Sequence, residues 1–374
     1  MPSITRTRLA ATAGYSLVEL IVSMGLLTVI MGVTLGGLAN VMKGNEIVMT
    51  IATMNNSVRA GLDLIVRDLL QVGSGLPASH AVSIPNGDNS ERVLIPGPPG
   101  TAFTTTIDDT TLPAVIPLAG VGPTIDGVAT DVLCVLMADN AFLNIALTSL
   151  PDTSVTVAAG PDLGSGPDRV TAGQLMLIAK GSVNTLVQVT AVDVPNRILT
   201  FGANDSLNLN QTTAEAGTLT ALNLEEPANA TEPANAAVAT NISRLRMITY
   251  YIDATTVPDH PRLVRRVNNG DPDVFDNTGE GTAVASDVVD LQFTFDISNG
   301  TGNPGAVAMT AADMTAGVGS RCNPDACGRT QIRKVNVSLT SRAPEQMAAR
   351  TNNISNTLES QVSLRAMAFV DRYR

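Results

Sequence analysis

The chain has 374 residues, with 34 Asp and Glu against 23 Lys and Arg, and a formal net charge of −11. That balance excludes a whole-chain basic footprint for nucleic acid. The length is ample for a sizeable core, in one elaborated domain or in two lobes. Charged residues make up only 15% of the chain, and Asn, Thr, Ser, Gly and Ala dominate its middle, as in many extracellular β proteins.

The first element is a short leader carrying Arg6 and Arg8 and ending in a small residue, Gly14. Tyr15 follows, and then an apolar run with one carboxylate, Glu19, near its start. Leu20 to Met42 is 23 residues without a charge, enough to cross a hydrocarbon core at about 1.5 Å per residue. A secretory signal has a shorter apolar core followed by a small-residue cleavage site; here the small residue comes first and the run is too long. A plain anchor explains the length but not Glu19, because a carboxylate at bilayer depth costs roughly 2.5–3.5 kcal/mol and calls for a partner. Arg6 and Arg8 place the N-terminus in the cytoplasm and the rest outside.

The block Gly14-Tyr15-Ser16-Leu17-Val18-Glu19-Leu20 resembles the processing site of type IV pilins and type II secretion pseudopilins. The resemblance implies that a prepilin peptidase cuts between Gly14 and Tyr15, that Tyr15 becomes the N-methylated first residue, and that Glu19 is the assembly carboxylate. Phenylalanine is usual at that first position, and Tyr15 departs from it. The implied partner of Glu19 is the new N-terminal amine of a neighbouring subunit. An intrachain partner is the alternative, since a carboxylate near a helix N-terminus is favoured by the dipole. The family further implies membrane lipid before assembly, an inner-membrane assembly platform, and other minor pilins and a major pilin as partners; no cofactor is expected, and the acidic balance gives no sign of nucleic acid.

After Lys43 the pattern becomes amphipathic, with Ile47, Ile51, Met54, Val58, Leu62, Ile65 and Leu69 at spacings of three and four. Gly73-Ser74-Gly75-Leu76-Pro77 ends the helix. Tyr15 to Val72 is 58 residues, or about 87 Å if continuous. Gly36-Gly37 stands where many pilins carry a proline and softens the helix through poor propensity.

Beyond residue 77 the chain reads as β with long loops. The expected strands are Arg92–Pro96, Asp131–Met137, Gln174–Ala179, Leu186–Val192, Leu245–Ile252, Leu263–Val267, Val288–Ile297 and Ile332–Thr340. Residues 203–241, with Glu226-Pro227-Ala228-Asn229-Ala230 nearly repeated at Glu232–Ala236, read as a surface loop. The junction Arg67–Gly73, the paired late strands and the closing Leu358–Arg365 are similar to the PilW-like branch of minor pilins, related to the J-type minor pseudopilin, which is usually shorter. The expected fold is therefore α+β. Residues 1–14 form a cleaved leader, 15–42 the membrane and assembly half of a long helix, 43–72 its amphipathic half, and 77–374 a β-rich periplasmic or extracellular head.

Chemistry-bearing residues are sparse. His80 and His260 sit in loop-like contexts and read as solvated, and no nucleophile triad, phosphate loop or metal-spaced cluster is evident. The expectation is therefore of a protein that is not an enzyme. Cys134, within Val132–Leu136, reads as a buried small hydrophobe. Cys322 and Cys327 enclose four residues and form a local disulfide in an oxidising compartment, with two free thiols as the alternative. Asp271, Asp273, Asp276 and Glu280 gather four carboxylates in ten residues. Calcium takes oxygens at such a spacing, but Phe275 and the displaced glycine favour a solvated acidic turn. The functional expectation is a minor pilin that primes or caps a type IV pilus-like filament; a minor pseudopilin of type II secretion and a filament-tip binding module for adhesion or DNA uptake are the alternatives.

Overall fold

The computed structural model describes residues 14, 16–85, 92–98, 101–104, 110–213, 215–224, 239–256, 258–268, 281–297, 307–310, 329–343 and 354–368. The chain divides into two units, Met1–Thr53 and Met54–Arg374. Helix α1 (Leu17–Leu69) is 53 residues long and contributes to both. It runs unbroken through Gly36-Gly37 and stops three residues short of the expected Val72. Tight turns follow, with Gly73 and Gly75 in the left-handed region (φ +79° and +67°) that side chains disfavour.

In the first unit the helix is long and apolar enough to span a membrane. Leu17, Val18, Ile21, Leu27, Val33 and Leu35 are all exposed. The few hydroxyls in this stretch are satisfied internally. Thr28 donates to the Met24 carbonyl at 2.8 Å, Thr34 to Ile30 at 3.0 Å and Ser23 to Leu20 at 2.9 Å. Each of these hydroxyls finds its acceptor within the helix itself.

The second unit is strand-rich. Its first strands are β1 (Ala81–Ser83), β2 (Leu94–Pro96), β3 (Ala102–Thr104), β4 (Thr111–Pro113), β5 (Val115–Leu118), β6 (Thr124–Ile125), β7 (Val128–Ala129) and β8 (Val132–Ala138). Then come β9 (Ile145–Ser149), β10 (Ser154–Val157), β11 (Leu175–Lys180), β12 (Val183–Gln188), β13 (Ala191–Asp193), β14 (Ile198–Thr200) and helix α2 (Leu219–Leu224). The last are β15 (Thr240–Asp253), β16 (Arg262–Val267), β17 (Thr282–Ser286), β18 (Val288–Ile297), β19 (Val307–Thr310), β20 (Ile332–Arg342) and β21 (Ser355–Ser363). The layout is α+β, one long N-terminal helix followed by strands.

An eleven-stranded sheet is built around β15. β11 pairs its first half, Thr240–Leu245, and β16 its second, Ile248–Asp253. On the other side β9 meets Asn241–Ile242 and β8 pairs Leu245–Tyr250. A four-stranded sheet in the order β19-β18-β20-β21 stands apart. Asp131 links the two sheets. Its amide donates to the Leu291 carbonyl at 2.9 Å, while its carboxylate accepts from the amides of Phe293 at 3.1 Å and Gly120 at 3.0 Å.

Three cores result. Met54, Val58, Leu62, Ile65 and Leu69 of α1 are buried at three- and four-residue spacing, and most join Leu133 and Val135 of β8, Tyr250 of β15 and Phe293 of β18 in the first core. The other face of β8, through Val132, Cys134 and Leu136, enters a second core with Leu175, Met247 and Tyr251. β8 therefore has no solvent face, which is why it reads as a continuous apolar run. The third core is enclosed. Strands β12-β11-β15-β9-β10-β14-β13 follow one another in the sheet, and its two ends, β12 and β13, are successive parts of one run, Val183–Asp193. That run closes a small barrel around Met176, Ile178, Val187, Leu199 and Phe201.

Two expectations change here. The single strand expected at Leu186–Val192 is instead β12 and β13, because the run must leave β11 and turn to reach β14. Residues 203–224 are no surface loop: Leu207, Leu209, Leu219 and Leu222 are buried, and Asn210 is held by Gln188. Polar side chains bonded to the backbone of the barrel disguise this stretch. Residues 225–238 lie outside the described residues.

Gly61 lets α1 approach the sheet. A Cβ there would lie 3.0 Å from the Ala285 Cβ and 3.1 Å from Leu263 Cδ2. Gly61→Leu is expected to lower stability by about 2–3 kcal/mol through overpacking, read as a fall in the denaturation midpoint of the detergent-solubilised chain. Ala60→Leu, on the exposed side of the same turn, should leave the midpoint unchanged.

Candidate functional site

The conspicuous site residues of the sequence lie at the start of α1. Gly14 and Ser16 precede the helix and Glu19 occupies its first turn; Tyr15 lies outside the described residues. The Glu19 amide donates to Ser16 Oγ at 3.2 Å, and the Ser16 amide donates back to Glu19 Oε2 at 3.1 Å. This reciprocal pair is a capping box, which satisfies two of the amides a helix start leaves open. Glu19 thus has a partner within its own chain, Ser16. Ser16 was overlooked as its partner, although the S-x-x-E spacing that announces it is visible in Ser16-Leu17-Val18-Glu19.

At the other end of α1 the helix is fastened by a buried polar cluster. The Tyr250 hydroxyl and Arg265 Nε each donate to Asp68 Oδ2 at 2.6 Å. Tyr250 and Arg265 face each other across β15 and β16, so the sheet register presents both donors to one carboxylate. Burial pushes the Tyr250 hydroxyl well above its usual range, and the Asp68 charge adds to that. Burial disfavours the Arg265 charge, but the Asp68 carboxylate outweighs it and holds the guanidinium above its ordinary value. A second cluster divides two cores. Asp139 accepts from Arg244 at 2.9 Å and Arg246 at 2.8 Å, and Arg244 also donates to the carbonyls of Arg169 and Pro167.

Of the two histidines, His260 is exposed and its ring nitrogen lies 2.9 Å from Asp287 Oδ1. His80 is buried, contrary to its expected solvation. Its amide bonds Pro77 and its carbonyl accepts from Ala114, so the turn after α1 is folded inward against β8's neighbours. Cys134 is buried as expected. Cys322, Cys327, Asp271, Asp273, Asp276 and Glu280 all lie outside the described residues. Among the described residues, no group of three or more His, Cys, Asp or Glu is placed to hold a metal ion. The chain matches no protein-family model, no curated protein and no solved structure.

Removing one member of a buried ion pair strands the other, at about 3–5 kcal/mol. Asp68→Asn should therefore lower the unfolding free energy by roughly 3 kcal/mol, while Asp63→Asn, on an exposed helix position, should not; chemical denaturation of the full chain measures both. Cys134 supplies a pH signature. Burial pushes its thiol from 9.0 up to about 12, with the Thr249 hydroxyl opposing. Its contribution is complete below pH 9 and is lost as pH rises from there toward 12, because the unfolded chain ionises and the folded chain does not. Cys134→Ala is expected to make the alkaline fall in stability shallower by up to about 1.4 kcal/mol per pH unit, and native Cys134 should resist alkylation until the chain unfolds.

Proposed function

We infer that this chain is a minor pilin which primes or caps a type IV pilus-like filament. The observation that carries the reading is the block Gly14–Leu20 at the head of a helix long and apolar enough to cross a membrane. In this reading a prepilin peptidase removes residues 1–14 and Tyr15 is N-methylated. The chain waits in the inner membrane with its strand-rich unit in the periplasm, and then joins other minor pilins, the major pilin and the assembly platform.

The capping box gives the reading a physical step. Before assembly, Glu19 takes two roles at once: its carboxylate closes the helix start against Ser16, and its charge sits at the edge of the lipid. Cleavage creates an ammonium group at Tyr15, four residues away. On entering the filament, a carboxylate beside the amine of a neighbouring subunit is worth far more than in water, because the surroundings are apolar. Exchange of partner, rather than creation of a new charge, then sets the axial register.

Glu19→Gln separates the two roles, because glutamine still closes a capping box while carrying no charge. The variant should insert in the membrane and lose residues 1–14 as the wild type does, yet co-purify with other pilins at least tenfold less. Ser16→Ala removes the cap at a cost of about 1 kcal/mol and should assemble nearly normally. Intact mass of the membrane-extracted protein and pull-down yield measure these outcomes. A mature chain that retains residues 1–14, or Glu19→Gln at wild-type yield, overturns the reading.

A further inference from the structure

β21 is an open edge. It pairs with β20 on one side only, among the described residues. Its register with β20 runs without a bulge from Lys334↔Ser363 to Arg342↔Ser355. The bonds flanking it fix which backbone groups point where. Ala343 donates to the Ile354 carbonyl and Leu364 to the Arg333 carbonyl, each at 2.8 Å and in the same register. Antiparallel pairs alternate between bonded and unbonded. The even-numbered residues of β21 therefore bond β20. Ser355, Thr357, Glu359, Gln361 and Ser363 turn both their amides and their carbonyls outward.

The other edges are closed or blunted. Among the described strands, β12 and β13 are successive parts of the run that closes the barrel, β5 carries Pro117, β17 pairs β16 through a bulge, and β1 to β4, β6, β7 and β19 have four residues or fewer. Native sheets protect long edges with lysine, proline or bulges; β21, Ser-Asn-Thr-Leu-Glu-Ser-Gln-Val-Ser, has none of them. Its two faces differ. Val362 is buried and Leu358 packs against the first core, whereas Glu359 and Gln361 are exposed and line a recess of about 430 Å³ with Gln292 and Ser338.

We propose that β21 is a docking edge for an extended strand of another protein subunit, one alternating apolar with polar residues and carrying a lysine or arginine opposite Glu359. Backbone groups in a row are matched only by another backbone, which fixes the occupant as a polypeptide strand. The apolar positions of that strand extend the core beyond Leu358 and Val362, and its cation completes the one charge on β21, in the way opposite charges stabilise cross-strand pairs.

The probe is an end-blocked fluorescent peptide, Thr-Val-Thr-Val-Lys-Val-Thr-Val-Thr, titrated into the full chain in detergent micelles and followed by anisotropy. It should bind saturably, and a version with Glu in place of Lys at least fivefold more weakly. Glu359→Lys should reverse that order. Gln361→Pro removes an outward amide without touching a backbone bond to β20; compared with Gln361→Ala, which loses the same side-chain bond to Asp296, it should weaken binding at least tenfold at a matching melting temperature. Should that variant fold poorly, N-methylation of the peptide's bonding amides makes the same cut with the protein intact and should abolish binding. Absence of binding, equal affinity for both peptides, or indifference to N-methylation overturns the proposal. So does a dimer of the chain itself that Gln361→Pro dissociates, since a second copy would then be the occupant.

Discussion

The whole strand-rich unit depends on one strand, β15. Its fourteen residues hold ladders to β11, β9, β8 and β16, and its side chains reach all three cores. Ile242 enters the barrel, Leu245, Met247 and Tyr251 the second core, and Ile248, Tyr250 and Ile252 the core beneath α1. A strand buried on both faces has no polar side to give away. The two arginines within it, Arg244 and Arg246, are tolerated because Asp139 and two backbone carbonyls receive them. They mark the seam where one core ends and the next begins on the same face.

Helix α1 obeys the opposite logic at its two ends. Near its start, apolar side chains face outward and hydroxyls fold back on their own carbonyls; near its end, apolar side chains face the sheet and a carboxylate is buried. The polar group that matters is satisfied in both places. Ser16 and Glu19 complete each other, and Asp68 is completed by Tyr250 and Arg265. A buried ion pair of this kind adds less to net stability than apolar residues would, but it fixes where the helix stops sliding against the sheet, because only one helical register brings Asp68 to both donors.

The legible parts of the sequence were those where a single periodicity held for long. The apolar run of α1, its three- and four-residue stripe, and β18 at Val288–Ile297 are such cases, and so is β8, whose two buried faces give a short continuous run. The short strands β1, β4, β6, β7, β10 and β14 were not legible, because two to four residues carry no period. β17 was hidden for another reason: of its Thr-Ala-Val-Ala-Ser only Ala285 is fully buried, a small residue at the close approach to Gly61. The inward fold of residues 203–224 was missed because Asn210 and Asp205 look like loop residues and act as backbone surrogates. His80 misled similarly, since its flanking proline suggested solvent. At the helix start, Glu19 drew attention as a charge in an apolar run, and its quieter role as half of a cap with Ser16 went unread.

The topology has a kinetic consequence. β8 and β15 are neighbours in the sheet, yet Ala138 and Leu245 are separated by the whole barrel segment in sequence. β8 therefore cannot find its main partner until the intervening chain has been made and drawn together, and closing such a long excursion is slow. During that interval seven residues with no polar face stand without their principal neighbour. Unpaired apolar strands of this kind are prone to aggregate while they wait. The barrel eases the problem, because its strands β10 to β14 pair among themselves at short range and can compact first, bringing the two halves of the long sheet to within reach.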